Sequence, residues 1–387
     1  MARLRPSGSH EWMHCAGSVQ MQEMFPQMED PQSAMDGTAA HWVASECLED
    51  YPKASGVKLA FDFIGKPAPN GVIIDESMAD GADVYINSVL KTCQKRGLLQ
   101  QIQVEKFVNI DRIHPTECGG TPDCYVWDAN AGILDVWDLK YGHGVIEVFE
   151  NPQLILYAVG ILDQITGGNA MVDEFTRVNL HIIQPRAYHP DGVDRTWSIK
   201  AIDLRAIVNV LTGQASAALV AQPPTKSGDH CRYCTAITHC QTAQRASANA
   251  IDHTDKMTIE VIPPDQLALH REILNRSLSA IKHRLTGVDS EIEALIKNGV
   301  NIDGLSLDNP PGRLKWIKPD AEIIALAELM GADLTKVVCC TPTQAKKMLD
   351  PSLIDAYAKP STGKTKIVNS KTTRAAKVFG AQTKKVN

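Results

Sequence analysis

The sequence lacks any apolar run long enough to cross a membrane, and its first residues lack the apolar stretch of a signal peptide. These two absences predict a protein of the reducing cytoplasm with no membrane partner. Disulfides rarely persist in that compartment, so the ten cysteines are expected to be metal ligands or buried thiols. The 387 residues, 44% hydrophobic and 22% charged, suffice for one large globular domain or two ordinary ones.

The segment 361–387 contains no acidic residue. It carries seven basic ones: Lys364, Lys366, Lys371, Arg374, Lys377, Lys384 and Lys385. Because the whole chain has a formal net charge of −6, the first 360 residues alone carry −13. An acidic body with a basic tail is compatible with a polyanionic ligand, and a solvated tail without such a ligand is the alternative.

A zinc-protease pattern, HExxH, occurs near the start of the sequence as His10-Glu11-Trp12-Met13-His14. It lacks a third metal ligand at a protease-like spacing downstream, which such a site requires. The match is therefore not interpreted as a protease site. The residue that follows this pattern, Cys15, is a separate candidate for metal binding.

Hydrophobic periodicity and turn signals divide the chain into alternating elements. Helices are expected at 36–50, 80–97, 152–165 and 201–221, and strands at 103–110, 124–129, 132–142 and 178–186. The helix at 152–165 is preceded by Asn151-Pro152, an N-cap followed by proline at the first helical position. Interleaved strands and helices predict an α/β core with a mixed sheet.

The character of the sequence changes after about residue 250. A heptad-like seam indicates one long helix that either packs on the domain or forms a coiled coil. The seam consists of Leu274, Leu278, Ile281, Leu285, Val288, Ile292 and Leu295. The predicted organisation is a domain at 1–250, a mainly helical region at 251–360 and a basic flexible tail at 361–387.

Two carboxylates and a lysine carry the first chemical signal. Asp123 follows a Gly-Gly-Thr-Pro turn, and Asp138 and Lys140 share one face of the strand at 132–142, whereas Asp135 points to the opposite face. A hairpin can bring Asp123 alongside them. Such carboxylates suit Mg²⁺ or Mn²⁺, and the lysine can stabilise developing negative charge. An ordinary Asp–Lys surface pair is the alternative.

These residues resemble the PD-(D/E)XK nuclease signature in its RecB-like form, written here as Gly-Thr-Pro-Asp123 and Asp138-Leu-Lys140. Gln153 and Tyr157 resemble the Q-x-x-x-Y motif of that family, and Gly-Thr-Ala-Ala-His41 resembles its upstream motif. The resemblance implies a restriction-endonuclease-like α/β core with a mixed central sheet flanked by helices, followed by the mainly helical C-terminal region that the periodicity predicts.

The same resemblance implies roles for the individual residues. It makes His41, Asp123 and Asp138 ligands of Mg²⁺ or Mn²⁺. It makes Asp123, Asp138, Lys140, Gln153 and Tyr157 the catalytic set. Glu105 is a candidate for an additional metal or water ligand, with a plain surface role as its alternative.

A cysteine cluster carries the second chemical signal. Cys231, Cys234 and Cys240 follow the spacing C-x2-C-x5-C, which can wrap one metal centre. Three thiolates need a fourth ligand, and His230 or His239 could supply it for a structural Zn²⁺. The remaining cysteines are expected to be buried or free thiols: Cys47, Cys93, Cys118, Cys124, Cys339 and Cys340.

The cysteine spacing also resembles that of RecB-like proteins with an iron–sulfur cluster, the AddB-type nucleases and the CRISPR adaptation exonuclease. Those proteins place one cysteine before the nuclease motifs and three after them. The resemblance implies that Cys15 is the fourth ligand of a 4Fe–4S cluster with Cys231, Cys234 and Cys240. Such a cluster would tie the N-terminal segment to the end of the nuclease domain.

Three further segments are similar to a family of phage and prophage RecB-like proteins: Arg5-Pro-Ser-Gly-Ser-His-Glu-Trp, Ile-Ile-Gln-Pro-Arg186 and Thr-Pro-Thr-Gln-Ala-Lys-Lys-Met-Leu349. This resemblance implies a phage-encoded, metal-dependent DNA exonuclease of the host cytoplasm that acts on DNA ends in recombination or DNA processing. An annealing protein, another recombination protein or a second copy of the chain is a possible partner. Within the tail, Lys364, Lys366, Lys371, Arg374 and Lys377 are the candidate DNA contacts. A structure-specific or single-strand endonuclease and a non-catalytic DNA-binding subunit are the alternatives.

Overall fold

A five-stranded mixed sheet forms the centre of the structure, a computed structural model that describes residues 2–26, 32–51, 58–171, 173–255, 263–305 and 307. The strands in chain order are β1 (Gln103–Val104), β2 (Val108–Asn109), β3 (Gly119–Gly120), β4 (Cys124–Asp128), β5 (Ile133–Leu139), β6 (Arg177–Ile183) and β7 (Asp194–Lys200). The central sheet has the order β1-β4-β5-β6-β7, and β2 pairs with β3 separately. Only β5 and β6 run parallel among the paired strands described.

Helices cover both faces of this sheet. In chain order they are α1 (Ser9–Trp12), α2 (Ser18–Met24), α3 (Gln32–Asp50), α4 (Glu76–Arg96), α5 (Pro152–Thr166), α6 (Leu204–Ala218), α7 (Gln241–Asp255) and α8 (Leu267–Lys297). The expected α/β core with a mixed sheet flanked by helices is therefore confirmed.

Alternation along β5 separates two hydrophobic clusters. Leu134 and Val136 pack with α5 and α6, whereas Trp137 and Leu139 pack with α3 and α4. All four side chains are fully buried. Because successive side chains of a strand point to opposite faces, this burial fixes the register of β5 and sends Asp138 towards α5.

Helix α5 begins as its sequence predicts. The side chain of Asn151 accepts a hydrogen bond from the backbone N–H of Leu154 at 3.2 Å, and Pro152 occupies the first helical position. The helix ends at Thr166 and is capped by Gly167, whose φ of 61° lies in the left-handed region that glycine adopts without strain. Its middle is buried on nearly every side, so α5 is held firmly against the sheet.

The strand predicted at 103–110 is wrong as a single element. The chain turns at Glu105, which has a positive φ of 48°, so that β1 joins the central sheet and β2 pairs with β3. Two strands were not predicted. Strand β3 consists of two glycines, which have little strand propensity, and β7 is an edge strand rich in polar residues.

The long helix expected after residue 250 is confirmed as α8. It packs near the loop that contains Cys231, Cys234 and Cys240, called the cysteine loop. Ser279 Oγ donates to Asp229 Oδ1 at 2.7 Å, and a side chain at Gly287 would clash with Ile237. Within the predicted seam, Leu274, Leu278 and Leu285 are at least half exposed, whereas Val288, Ile292 and Leu295 are part-buried.

The boundary expected near residue 250 falls inside α7 and stays a prediction, and the basic tail at 361–387 lies outside the described residues. In the part of the chain that is described, no helix is both long enough and apolar enough to span a membrane.

Candidate active site

Asp123 lies immediately before β4 and beside the carboxyl end of β5, because the hairpin register pairs Cys124 with Trp137. Its Oδ2 accepts a hydrogen bond from the backbone N–H of Leu139 at 2.7 Å. The Nδ1 atom of His41, on α3, lies 3.3 Å from the same oxygen. The fold thus brings Asp123 and His41 together at the end of β5.

Asp138, Lys140 and Gln153 form a closed set of polar contacts on the α5 side of the sheet. Lys140 Nζ lies 2.8 Å from Asp138 Oδ2 and donates to Gln153 Oε1 at 3.0 Å. Gln153 Nε2 donates to Asp138 Oδ1 at 2.8 Å. Each side chain contacts the other two, so the lysine ammonium is held beside the carboxylate.

One carboxylate oxygen of Asp138 has hydrogen-bonding capacity that is not fully used. Its Oδ2 is buried, and within the described residues its contact is the ion pair with Lys140, without a well-directed hydrogen bond. A buried carboxylate oxygen with free lone pairs is costly unless it is compensated. The Lys140 ammonium, 2.8 Å from this oxygen, supplies part of that compensation, and a bound divalent cation would add to it.

The electrostatics of these side chains are coupled. Burial raises the pKa of Asp138; Lys140 opposes that shift, and Asp123 adds to it. Burial also disfavours ionised Asp123, but His41 and Lys140 outweigh burial and lower the pKa of Asp123. Burial alone would lower the pKa of Lys140, yet the adjacent carboxylates raise it. Lys140 therefore stays protonated, so that it carries a positive charge and can donate hydrogen bonds.

Tyr157 lies one helical turn after Gln153 on α5 and is buried against the turn that leads to Asp123. A side chain at Gly120 would approach Tyr157 Cε1 to 3.2 Å, so glycine allows this close packing. Burial raises the pKa of Tyr157, Asp138 and Asp123 raise it further, and a hydrogen bond with Gln153 opposes the shift. The tyrosine thus supports both the turn and the glutamine.

Glu105 reaches the same region from the break between β1 and β2. Its backbone N–H donates to the carbonyl oxygen of Asp123 at 3.2 Å, and its side chain lines a small pocket with His41, Asp123 and Leu139. Burial raises the pKa of Glu105, and the charge of Asp123 raises it further. Glu105 lines this pocket although it is exposed, so the ligand role and the plain surface role both stay predictions.

The donor set fits a hard divalent cation in its chemistry. Asp123, Asp138 and Glu105 supply carboxylate oxygens, and His41 supplies a ring nitrogen, which are ligands that Mg²⁺ and Mn²⁺ accept. Within the described residues, no group of three or more His, Cys, Asp or Glu side chains already has the spacing of a metal site. Asp138 Oδ2, buried with Lys140 as its contact, is the atom of that residue with bonding capacity left for a cation.

Four cysteines distant in sequence share a second pocket. Cys15, Cys231, Cys234 and Cys240 line it together with His230. Burial raises the pKa of Cys234 to about 12, and the charges of the other three cysteines contribute to the shift. The backbone N–H of Lys226 donates to Cys15 Sγ at 3.3 Å. The N-terminal segment therefore meets the C-x2-C-x5-C loop.

The two histidines considered as zinc ligands differ in position. His230 lines the pocket; its Nε2 lies 2.7 Å from the carbonyl oxygen of Lys226, and a hydrogen bond with Cys15 raises its pKa. His239 stacks on Phe25 at 4.2 Å, and its Nε2 lies 3.4 Å from Glu291. Only His230, of these two, faces the cysteines.

The other predicted features can be located briefly. Helix α1 ends at Trp12, so His10 and His14 do not share one helix as a zinc-protease pair must. Free, buried thiols occur at Cys47, Cys93, Cys118 and Cys124, as expected. Cys339, Cys340 and the tail residues Lys364, Lys366, Lys371, Arg374 and Lys377 lie outside the described residues.

Sequence reasoning placed Asp135 on the opposite face but missed its partners. Asp135 is fully buried and accepts hydrogen bonds from Arg96 Nη1 at 2.6 Å and Asn179 Nδ2 at 3.0 Å, with His181 Nε2 at 3.1 Å. A charged residue in the middle of an apolar strand indicates that a partner exists. The sequence does not indicate which residue that partner is.

Comparison with known protein families gives a match over nearly the whole chain. Residues 1–375 match a family described as a protein of unknown function (DUF2800). The match spans both pockets described above.

Proposed function

From the premise that the chain belongs to the DUF2800 family, and from the geometry of its site, we infer that it is a metal-dependent deoxyribonuclease with a RecB-like PD-(D/E)XK core. The observation that carries this proposal is the contact of Lys140 with both Asp138 and Gln153, next to Asp123. Asp138 is buried and Lys140 and Asp123 are part-buried, and removing such charges from water is expensive, so their convergence supports a functional role.

The surrounding architecture supports the same proposal. The sequence motifs fall on a hairpin, β4 and β5, followed by α5, and they meet at one end of a mixed sheet. His41 arrives from α3, in the order that the resemblance implies. Four motifs separated in sequence converge on one location, which is a stronger argument than any of them alone.

Each residue has a defined task in hydrolysis. Asp123, Asp138 and His41 would hold Mg²⁺ or Mn²⁺, with Glu105 close enough to hold a water or join them. The ion, when bound, supplies a water of lowered pKa and neutralises charge on the scissile phosphate. Lys140 orients the attacking water and stabilises the negative charge that develops on phosphate oxygens. Gln153 keeps Lys140 and Asp138 in fixed positions.

We further propose that Cys15, Cys231, Cys234 and Cys240 hold a 4Fe–4S cluster. Four thiolates on one pocket are the usual ligand set of such a cluster. His230 contacts Cys15 and a backbone carbonyl, which suits a residue that orients a ligand. A structural Zn²⁺ bound by the three loop cysteines and His230 is the alternative. In either case the centre would join the N-terminal segment to the end of the nuclease core.

The preferred activity is exonucleolytic degradation from DNA ends, by analogy with phage recombination systems. Resection would leave single strands for an annealing protein in the host cytoplasm. A structure-specific or single-strand endonuclease uses the same residues. A non-catalytic DNA-binding subunit is disfavoured, because such a protein has no chemical need for Asp123, Asp138 and Lys140 together.

The test uses purified protein with Mn²⁺ and two substrates, end-labelled linear DNA and covalently closed circular DNA. Degradation of the linear substrate alone supports an exonuclease. Cleavage of the circle supports an endonuclease. Binding without cleavage of either substrate would favour the non-catalytic subunit and would contradict the proposed chemistry.

A further inference from the structure

The loops that follow β5 and β6 leave the sheet at the same edge. Because these two strands are parallel, the backbone N–H of Lys140 donates to the carbonyl oxygen of Ile183 at 2.8 Å. Residues 141–151 and 184–193 therefore begin side by side, next to the lysine of the candidate active site. Ligands of α/β proteins commonly bind at the carboxyl ends of parallel strands.

The first of these loops is held in a fixed conformation. Gln184 Nε2 donates to the carbonyl oxygens of Gly142 at 3.0 Å and Gly144 at 2.7 Å. Arg195 Nη2 donates to Gln184 Oε1 and to the carbonyl oxygen of Ile146, both at 2.9 Å. Gln184 and Arg195 are themselves buried. These two buried polar side chains thus hold the loop in this conformation.

Arg195 also places a buried positive charge next to the loop formed by residues 141–151. Its Nε and Nη1 are buried, and neither donates a hydrogen bond within the described residues. A buried guanidinium of this kind keeps its charge, because arginine does not deprotonate in proteins. It therefore favours an anion at the surface above it.

Two arginines on that surface lie against aromatic rings. The guanidinium carbon of Arg186 is 4.5 Å from the centre of the Tyr141 ring, and Arg186 Nη2 donates to His143 Nε2 at 2.7 Å. The guanidinium carbon of Arg232 is 5.0 Å from the centre of the Tyr233 ring. Both arginines are exposed.

The cysteine loop supplies the second of these pairs. Arg232 and Tyr233 stand between Cys231 and Cys234, and a side chain at Gly144 would come within 4.0 Å of both the guanidinium and the tyrosine hydroxyl. The cysteine loop thus contacts the loop that follows Lys140.

Charge pairing distinguishes these arginines from others in the protein. Within the described residues, neither Arg186 nor Arg232 forms an ion pair with a carboxylate, whereas Arg96 and Arg112 do. The nearby carboxylates Glu147 and Asp191 lie instead on either side of His189, at 3.7 and 3.8 Å. The guanidinium groups remain available to phosphates.

Exposed aromatic rings complete the surface. Tyr188 is 84% exposed and Tyr233 is 63% exposed. Water-exposed tyrosines beside arginines offer flat faces on which unpaired bases stack. In a duplex those base faces are already stacked on each other, so such rings favour single strands.

We propose that the surface formed by Arg186, Tyr188, Arg232 and Tyr233 binds a single strand of DNA and leads it to Lys140. This inference rests on the proposed nuclease function and specifies its substrate as a single-stranded segment, at a DNA end or after local separation. The guanidinium groups contact phosphates, and the tyrosine rings stack on bases. Gln184 and Arg195 act as positioning residues for the loop beneath.

The experiment measures binding without cleavage. Fluorescence anisotropy of a labelled oligothymidine strand is recorded with the full-length protein in EDTA, over a range of salt concentrations. Single variants R186A, Y188A, R232A and Y233A are compared with two controls. Arg205→Ala removes an exposed arginine on α6, and Phe175→Ala removes an aromatic ring, 86% exposed, from the opposite end of β6.

The two kinds of variant have different expected signatures. Tyr188→Ala and Tyr233→Ala should weaken binding about tenfold with an unchanged salt slope, because stacking releases no counterions. Arg186→Ala and Arg232→Ala should weaken binding and reduce the slope of log affinity against log salt by about 0.7 each. Both controls should bind like the wild type.

Three outcomes would overturn the proposal. One is unchanged affinity in all four variants. Another is equally tight binding of a blunt duplex that is equally sensitive to Tyr188→Ala. The third is tighter binding of oligouridine RNA than of oligothymidine. Because no cleavage occurs in EDTA, each result is independent of whether Asp138 and Lys140 hydrolyse DNA.

Discussion

Asp135 and Arg96 form an ion pair with an N–O distance of 2.6 Å on the face of β5 opposite to Asp138. The carboxylate is fully buried, whereas the arginine side chain is about a quarter exposed. The same strand therefore carries a structural aspartate towards α4 and a candidate catalytic aspartate towards α5. The two roles can be separated by experiment.

The first prediction concerns stability. Asp135→Ala should lower the free energy of unfolding by about 3 kcal/mol, because Arg96, Asn179 and His181 lose a shared buried acceptor. Urea denaturation followed by circular dichroism measures this change. Asp163→Ala is the matched control: Asp163 pairs with Arg112 at the surface, so its loss should cost only about 1 kcal/mol or less. Equal effects of the two substitutions would contradict the structural role of Asp135.

The second prediction concerns acid sensitivity. Burial alone would raise the pKa of Asp135, but its hydrogen bonds with His181, Arg96 and Asn179 lower it below the ordinary value. A lowered folded-state pKa contributes stability above the unfolded-state pKa, about 4, and this contribution is lost as the pH falls through the folded-state value. Asp135→Asn should therefore lose less stability than the wild type between about pH 5 and pH 3. The measurement is the free energy of unfolding at several pH values, and the same pH dependence in the wild type and Asp135→Asn would refute this prediction.

The third prediction concerns the cysteine centre. Anaerobically purified protein should be brown, with broad absorption at about 400 nm. Cys15→Ser should lower the iron content and the thermal stability, whereas Cys47→Ala, at a free thiol elsewhere, should leave iron unchanged. A colourless protein with stoichiometric zinc that is lost in His230→Ala would support the zinc alternative. Unaltered iron in Cys15→Ser would exclude Cys15 as the fourth ligand.

The fourth prediction concerns the basic tail. Deleting 361–387 removes seven positive charges from a chain whose remainder carries −13. If these residues contact phosphates, the truncated protein should bind DNA more weakly and with a smaller salt dependence. The cleavage rate at saturating DNA should change little. Identical salt slopes would exclude a DNA contact, and a change of molecular mass in light scattering would indicate that the tail serves assembly.

The sequence predicts the elements whose signals are local. Alternation identifies both faces of β5, and Asn151-Pro152 identifies the start of α5, because strand pleat and helix capping depend on neighbouring residues. The sequence also predicts which candidate residues lie together, since their motifs have fixed spacings. Their contacts with one another follow from the hairpin and from α5.

Other features depend on distant contacts and could not be predicted. Glu105 adopts a positive φ that only its surroundings stabilise. Arg96 pairs with Asp135 across 39 positions of the sequence, and Gln184 supports a loop about 40 positions before it. Such pairings depend on how strands and helices are arranged in space, which composition and periodicity do not specify.

The central claim is that Asp138 and Lys140 hydrolyse DNA. The most direct measurement is the rate of Mn²⁺-dependent degradation of end-labelled linear DNA by the wild type, Asp138→Asn, Lys140→Ala and the control Lys95→Ala, an exposed lysine on α4. With folding verified by circular dichroism, the two site variants should lose activity by about a hundredfold or more, and Lys95→Ala should remain active. Wild-type rates in Asp138→Asn or Lys140→Ala would contradict the assignment of this site.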